Sequence, residues 1–127
     1  IYDNLKQLYN REPTKIDNLI RDKIIEIAPV AYMRGRTFTN SVLIIDEAQN
    51  MDDESIKMCL TRLGIGSKII LCGDVAQIDL KTAPSGLQFL ISLKDKISGF
   101  SVVELKTNHR NPILDDLLKF YEEKAKK

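Results

Sequence analysis

The sequence has few of the residues that build disulfide or metal frameworks. Its 127 residues include two cysteines, Cys59 and Cys72, and one histidine, His109. The cysteines lie in apolar surroundings without Cys-x-x-Cys or Cys/His spacing. This pattern argues against a disulfide framework or a zinc site and favours a reduced, cytosolic protein. Both cysteines are therefore predicted to be small buried hydrophobic residues.

Long apolar runs are also missing. A helix that spans a bilayer needs roughly 20 predominantly apolar residues, and no run in this sequence approaches that length. The chain does not open with the basic and then apolar segments of a secretory signal peptide. We therefore expect a soluble, cytoplasmic protein with no membrane partner.

The sequence has no large excess of charge of either sign. Its 19 Lys and Arg residues face 18 Asp and Glu residues, which leaves a net charge of +1. The field of the whole molecule therefore does not favour a polyanionic partner. Any contact with nucleic acid must come from a local group of basic residues.

The chain has the length and hydrophobic content of one domain, residues 1–127. Two apolar segments, Val42–Ile45 and Lys68–Cys72, are predicted to be strands, and the first is expected to be buried on both faces, as parallel strands are. Two further segments, Lys23–Ala28 and Ser101–Leu105, are predicted to be strands as well. Two short helices are predicted before the core, and helical patterns separate the later strands. The alternation predicts an α/β fold with a mostly parallel sheet covered by helices.

The first candidate site follows the strand Val42–Ile45. Ligands of open parallel sheets bind outside the carboxyl ends of the strands, and Asp46-Glu47-Ala48-Gln49 occupies that position here. Asp46 could hold Mg²⁺ beside the phosphates of a nucleotide, and Glu47 could serve as general base or water-positioning group. The alternative is an ordinary acidic turn. The apolar run before the pair and Gln49 after it favour a hydrolytic function.

A second candidate site follows the strand Lys68–Cys72 and contains Gly73, Asp74 and Gln77. The glycine permits a sharp turn close to a ligand, and the Gln77 amide offers both donors and an acceptor, as a phosphate sensor requires. Because Gly-Asp is a common turn pair, the interpretation depends on the expected position of this turn beside Asp46 and Glu47.

Arg110 is the third candidate, after Ser101–Leu105 and just before a predicted helix start at Asn111-Pro112. Its guanidinium could reach a γ-phosphate and offset the charge that develops there during transfer. A lone arginine near a strand end is more often part of a surface ion pair, so this prediction depends on the other two sites. His109 is more simply interpreted as a structural histidine.

A basic loop between the predicted strands Lys23–Ala28 and Val42–Ile45 contains Arg34 and Arg36, which flank Gly35. With Tyr32 and Phe38 nearby, the loop combines charges that bind phosphate with rings on which bases could stack. It could contact single-stranded nucleic acid. The alternative is an ordinary basic loop, or arginines paired with acidic neighbours.

These motifs occur together in the order typical of the PhoH-like proteins, which are ATPases related to the superfamily 1 helicases. The sequence resembles that family over nearly its whole length, from about residue 2 to residue 121. The matching segments are Tyr32-Met33-Arg34-Gly35-Arg36-Thr37, Ile45-Asp46-Glu47-Ala48-Gln49-Asn50, Leu60-Thr61-Arg62-Leu63-Gly64, Gly73-Asp74 with Gln77 and Asp79-Leu80, and Ser85-Gly86-Leu87.

The resemblance implies a RecA-like three-layer αβα core that uses ATP and Mg²⁺. Asp46 would be the Mg²⁺ group of a Walker B motif, Glu47 its catalytic carboxylate, and Arg110 a phosphate contact. The segment from Gly73 to Gln77 would correspond to helicase motif III, which couples the γ-phosphate to the nucleic-acid side. The residues assigned by resemblance to the nucleotide or to catalysis are Asp46, Glu47, Gln49, Gly73, Asp74, Gln77 and Arg110.

The sequence also departs from the family pattern. It contains no Gly-x-x-x-x-Gly-Lys-Thr loop, whose amides and lysine would cradle the β- and γ-phosphates. The core is therefore expected to be incomplete and the isolated chain inactive. Because the chain begins with Ile1 rather than Met, we expect it to be the C-terminal part of a longer ATPase core. A smaller departure is Arg110-Asn111-Pro112, where the family typically has Arg-His-Pro, and this leaves the role of His109 open.

The leading hypothesis from sequence is ATP hydrolysis coupled to single-stranded nucleic acid, with RNA favoured over DNA, in the full-length protein. One alternative is a non-catalytic module that binds nucleic acid or protein with a degenerate ATPase fold. Another is a metal-dependent ribonuclease that uses Asp46, Glu47 and Asp74. By analogy with RecA-type rings, a homo-oligomer would let Arg110 act on the nucleotide of a neighbouring subunit.

Overall fold

The protein is described by a computed structural model that covers residues 2–9, 12–78 and 84–107, together with residues 113, 114, 117 and 120. Within these ranges, no helix is long and apolar enough to cross a membrane. The elements with defined bounds are α1 (Tyr2–Leu8), α2 (Pro13–Arg21), β1 (Val42–Ile45), α3 (Asp53–Leu60), β2 (Lys68–Leu71) and α4 (Gly86–Ser92), with 3₁₀ turns at Val30–Met33, Ala48–Asn50 and Val75–Gln77.

Strands β1 and β2 are hydrogen-bonded neighbours in a parallel sheet. The register pairs Val42 with Lys68 and Ile45 with Leu71. Helix α3 lies between the two strands in the sequence and provides the crossover that parallel pairing requires. The α/β class and the parallel pairing of the two main strands are thus confirmed, and the arrangement is consistent with an incomplete RecA-like core.

Among the described residues, the helices cover one face of this sheet. Leu43 and Ile45 are 8% and 6% exposed, whereas Val42 and Ile44 on the opposite face are 62% and 60% exposed. The prediction that this strand is buried on both faces is therefore wrong for the described part of the chain, because α3 and α4 pack on the Leu43 and Ile45 side. The buried core consists of Met33, Leu43, Ile45, Ala48, Ile56, Cys59, Leu87 and Leu90.

The segment that follows α2 forms the end of the helix and then irregular chain. The amides of Ile24 and Ile25 both donate to the carbonyl of Leu19, at 2.9 and 3.1 Å. Lys23 adopts a left-handed conformation with φ of 58°. Because these amides satisfy a carbonyl at the end of the helix, they do not pair with a strand. The prediction of a strand at Lys23–Ala28 is wrong.

The segment Ser101–Leu105 is irregular rather than a strand. Val103 and Leu105 are 78% and 89% exposed. The β-branched and apolar residues of this segment favour an extended chain. A strand also needs a neighbouring strand to pair with and a surface on which its side chains pack. The described residues place no such partner beside it, so this prediction is also wrong.

The two cysteines lie in different environments. Cys59 is completely buried in the core, as predicted, and this burial raises the pKa of its thiol. Cys72 is exposed, which contradicts the prediction. The reason is its position just past the end of β2, at the edge of the sheet where the candidate site lies.

The start of α3 is tied to the start of α4. The Asp52 carboxylate caps α3 by accepting a 2.8 Å hydrogen bond from the Ser55 amide, and hydrogen bonds from the Ser55 side chain and backbone hold the pKa of Asp52 below its ordinary value. The amide of Gly86 donates to the Met51 carbonyl at 2.9 Å. A Cβ on Gly86 would lie 2.6 Å from Cγ1 of Ile56. The glycine therefore permits the close approach of α4 to α3 above the covered face of the sheet.

Candidate functional site

The first two candidate sites meet at the carboxyl ends of β1 and β2. Pairing continues beyond the strands, because the Cys72 amide donates to the Ile45 carbonyl at 2.8 Å and the Ala48 amide donates to the Cys72 carbonyl at 2.9 Å. These bonds hold the segment containing Asp46 and Glu47 beside the segment that leads to Asp74. The structure therefore brings the two sites together, as the parallel sheet predicted.

Glu47 is the turning point after β1. Its backbone is left-handed, with φ of 55° and ψ of 33°, a conformation that is uncommon for residues other than glycine. The Glu47 amide donates to Oδ1 of Asp46 at 3.1 Å. Non-glycine residues in this conformation carry backbone strain that often marks functional sites. Both carboxylates are solvent-exposed, so a ligand at this edge of the sheet could reach them.

Gln49 connects the two strand ends through its side-chain amide. Its Oε1 accepts a 3.2 Å hydrogen bond from the Asp74 amide, and its Nε2 donates to Oε2 of Glu47 at 2.7 Å. A backbone N–H can only donate, so the Asp74 contact determines the orientation of the Gln49 amide and directs its NH₂ group at Glu47. With 2% of its surface exposed, Gln49 is a buried bridge from the Glu47 carboxylate to the loop after β2.

Gly73 gives Gln49 the space that this bridge needs. A Cβ at position 73 would lie 2.6 Å from Oε1 of Gln49, 2.7 Å from Cδ2 of Leu87 and 3.0 Å from the Gln49 backbone nitrogen. The backbone of Gly73 is not in the left-handed region, so the requirement is one of space rather than of conformation. The sequence predicted a close approach to a ligand here, whereas the structure shows a close approach to Gln49.

We expect Gly73→Ala to lower the stability of the protein. The added methyl group must displace the Gln49 amide or the Leu87 side chain, and overpacking of this kind costs about 1–3 kcal/mol. The thermal unfolding midpoint of the full-length protein should therefore fall. A variant with the parental midpoint would show that the packing around Gln49 tolerates the methyl group.

Asp74 and Gln77 form a short exposed turn after the bridge. Oδ1 of Asp74 accepts from the Ala76 amide at 2.9 Å, and Oδ2 accepts from Nε2 of Gln77 at 2.7 Å. The amide of Gln77 also donates to the Asp74 carbonyl at 2.9 Å. Asp74 thus orients the Gln77 side chain, and the contacts of both residues with a nucleotide remain predictions.

The residues around Asp46 fit a Mg²⁺ ion of the kind that is bound with a nucleotide. Oδ1 of Asp46 accepts from an amide, and within the described ranges its exposed Oδ2 has no hydrogen-bond partner. Mg²⁺ is typically held by one or two carboxylates together with water and substrate phosphates. No group of three or more His, Cys, Asp or Glu residues that could hold a metal ion occurs among the described residues. Asp46, Glu47 and Asp74 thus do not form the cluster that the ribonuclease hypothesis requires of them.

The two arginines of the basic loop have different surroundings. Arg36 makes a two-pronged ion pair with Glu26, with Nη1 to Oε1 at 2.5 Å and Nη2 to Oε2 at 2.7 Å, and its guanidinium lies 4.7 Å from the centre of the Phe38 ring. The acidic pairing considered as an alternative from sequence is therefore present at Arg36. Arg34 is exposed where the 3₁₀ turn Val30–Met33 ends.

Arg110 and His109 lie outside the described residues, so the third candidate site stays a prediction. Sequence reasoning missed the contribution of Glu26, which lies 10 residues before its partner in irregular chain and belongs to no recognisable motif. It also missed the bridging geometry of Gln49, although the small residue at position 73 was a sign that something packs closely there.

Comparison with known proteins agrees with these motifs. The family model for PhoH-like proteins matches residues 1–122. The chain is 43% identical over 125 residues to a PhoH-like protein of Bacillus subtilis, covering 96% of this chain and 39% of that protein. It is 42% identical over 125 residues to a PhoH-like protein of Synechocystis, covering 96% of this chain and 38% of that protein. It is also 59% identical over 56 residues to the protein PhoH of Escherichia coli, covering 44% of this chain and 16% of that protein.

The chain thus spans less than two fifths of the length of these relatives, 39% for the Bacillus subtilis protein. The family match nevertheless extends over almost the entire chain and includes both strand ends and the basic loop. This chain belongs to the PhoH-like protein family.

Proposed function

We propose that this chain supplies the hydrolytic and coupling part of a P-loop ATPase that acts with single-stranded nucleic acid, RNA in preference to DNA. The observation that carries the proposal is the Gln49 bridge. It joins the Glu47 carboxylate to the Asp74 amide across neighbouring strand ends, at 2.7 and 3.2 Å. A buried side chain that hydrogen-bonds to two strand ends fixes their positions relative to each other. A site in which groups from both strand ends act on one phosphate group requires such fixed positions.

Each carboxylate has a separate role in the proposed mechanism. Asp46 would hold Mg²⁺, which when bound with ATP neutralises charge on the phosphates. Glu47 would orient the attacking water and accept its proton, and the hydrogen bond from Gln49 keeps the Glu47 carboxylate aimed while its backbone stays left-handed. Hydrolysis would need the phosphate-binding loop, so it belongs to the full-length protein.

Coupling to nucleic acid would follow the chain of contacts from the same carboxylate. Glu47 contacts Gln49, Gln49 contacts the Asp74 amide, and Asp74 orients Gln77. A change in charge near Glu47 can therefore alter the position of the Gln77 side chain through these hydrogen bonds, without a large movement of the backbone. Arg34 and Arg36 would contact the single strand, and Arg110 would contact the transferred phosphate.

Phosphate release from ATP by the full-length protein, in the presence of Mg²⁺, tests the proposal. We expect hydrolysis that single-stranded RNA stimulates, because coupling of the two activities means that binding of the strand favours turnover. Binding of RNA without hydrolysis would instead support a non-catalytic module. Metal-dependent cleavage of labelled RNA without ATP would support a ribonuclease.

A further inference from the structure

The ion pair between Glu26 and Arg36 lies where the basic loop would meet a nucleic acid. The two carboxylate oxygens face the two terminal guanidinium nitrogens at 2.5 and 2.7 Å. A phosphate group presents two oxygens to an arginine in the same geometry. Glu26 thus occupies the positions that phosphate oxygens would take on Arg36.

The Arg36 guanidinium has a contact that does not depend on Glu26. It lies over the Phe38 ring, 4.7 Å from the ring centre. The Arg36 backbone is held separately, because Nη1 of Arg62 donates to its carbonyl at 3.4 Å. The ring contact therefore helps to keep the guanidinium in place when its acidic partner changes. A pre-positioned guanidinium loses less conformational entropy when it binds a phosphate.

The Glu26–Arg36 pair is accessible and exchangeable. The Arg36 side chain is 40% exposed to solvent and the Glu26 side chain is 54% exposed. Ion pairs with this much contact with water are weak, because solvent screens the attraction. The hydrogen bonds from Arg36 also hold the pKa of Glu26 below its ordinary value, so Glu26 carries its charge near neutral pH and repels an approaching phosphate.

The pair forms one side of an open groove of about 510 Å³ that is lined by Glu26, Ile27, Ala28, Pro29, Tyr32 and Arg36. Tyr32 is 69% exposed. An exposed ring, an apolar wall and an arginine are the components of sites that bind single strands, where a base stacks on the ring and the backbone phosphate meets the positive charge.

We propose that this groove binds one nucleotide of the single strand, with its base on Tyr32 and its phosphate on Arg36, and that Glu26 lowers the affinity by competing with the phosphate for Arg36. The inference rests on the proposed contact between the basic loop and nucleic acid, and it adds the residue that limits the strength of that contact. Weak, exchangeable binding suits an ATPase that must release and rebind its strand during turnover.

Binding of a fluorescein-labelled single-stranded oligouridylate to the full-length protein, followed by fluorescence anisotropy at fixed salt, tests this. We expect Glu26→Gln to lower the Kd about fivefold to tenfold, because the amide neither pairs strongly with Arg36 nor repels phosphate. Glu54→Gln is the matched control. It removes the same charge from the first turn of α3, about 9 Å along the helix axis from the end that leads to Arg62, and should leave the Kd unchanged.

Four further variants examine the groove itself. Arg36→Gln should weaken binding and reduce the slope of log K against log salt by about 0.7, the change expected for one lost phosphate contact on a single strand. Tyr32→Ala should weaken binding about tenfold, whereas Tyr32→Phe keeps the ring and should bind like the parent. In the double variant Glu26→Gln with Arg36→Gln, most of the gain from Glu26→Gln should disappear, because competition requires Arg36, and only the smaller gain from lost repulsion should remain.

The outcomes separate this inference from the proposed function. If Arg36→Gln weakens binding while Glu26→Gln does not strengthen it, or if Glu54→Gln strengthens it equally, competition by Glu26 is ruled out and the nucleic-acid contact stands. If the double variant Arg34→Gln with Arg36→Gln binds RNA with the Kd and the salt dependence of the parent, the contact proposed for the basic loop is wrong. The proposed competition by Glu26 is then wrong as well.

Discussion

Glu47→Gln in the full-length protein is expected to lower the rate of ATP hydrolysis by about 10²–10⁴-fold, the usual contribution of a general base. ATP should still bind, because the proposed binding groups are Asp46 and the phosphate-binding loop. Phosphate release under saturating ATP measures the first effect, and equilibrium binding of a fluorescent ATP analogue measures the second.

The substitution is well suited to a test of catalysis because it preserves the local contacts. The Oε1 atom of a glutamine at position 47 can still accept the hydrogen bond that Gln49 donates to Glu47 at 2.7 Å in the parent. Side-chain size is also kept, so the left-handed turn should persist. Glu54→Gln again serves as the control for loss of one negative charge. Unchanged hydrolysis in Glu47→Gln would refute the role assigned to Glu47.

Gln49→Leu is expected to have the second largest effect, on both stability and turnover. Leucine fills a similar volume but leaves the Asp74 amide without its acceptor and Glu47 without its donor. The lost hydrogen bonds should each lower the free energy of unfolding by about 0.5–1.5 kcal/mol, because water can reach the Glu47 carboxylate and the turn that contains Asp74. Turnover should fall by about 10–100-fold, the loss expected when a supporting contact no longer holds a catalytic group in place. Denaturant unfolding and phosphate release measure the two effects.

Gln88→Leu provides the matched control for that substitution. Gln88 is exposed on α4, so the same chemical change there should alter neither quantity appreciably. If Gln49→Leu behaves like Gln88→Leu, the bridge has no role in holding the site.

Gln49→Glu separates the two bonds of the bridge. A carboxylate at position 49 still accepts from the Asp74 amide, but it replaces the donor facing Glu47 with a like charge. Turnover lost in both Gln49→Leu and Gln49→Glu would assign the effect to the Glu47 contact. Turnover lost only in Gln49→Leu would assign it to the Asp74 contact.

The ends of β1 and β2 were predictable from sequence because an apolar run precedes each of them. Four apolar residues before Asp46 favour a strand, and parallel strands place their carboxyl ends together. The same reasoning failed at Lys23–Ala28, where the amides of Ile24 and Ile25 bond to the end of α2. Segments with similar composition therefore formed a strand in one place and irregular chain in another, because different hydrogen-bond partners were available to their backbone groups.

The basic loop shows the same division between local and tertiary information. The sequence indicates that Arg34 and Arg36 can meet phosphate, because an arginine carries that chemistry in any exposed position. It does not indicate that Arg36 is paired with Glu26 while Arg34 is exposed. That pairing depends on how irregular chain after α2 returns to the 3₁₀ turn that precedes Arg34, and irregular chain has no periodicity to read.

The sequence by itself indicated the candidate residues at the ends of β1 and β2, since the order of motifs and the apolar run before Asp46 and Glu47 are local properties. The tertiary structure alone decided how those residues are held. The register of β1 with β2 places Gly73 against Gln49, with room for no side chain at position 73. Gln49 then links Glu47 to Asp74 because buried polar groups must find partners, and only the packed fold determines which partners are within reach.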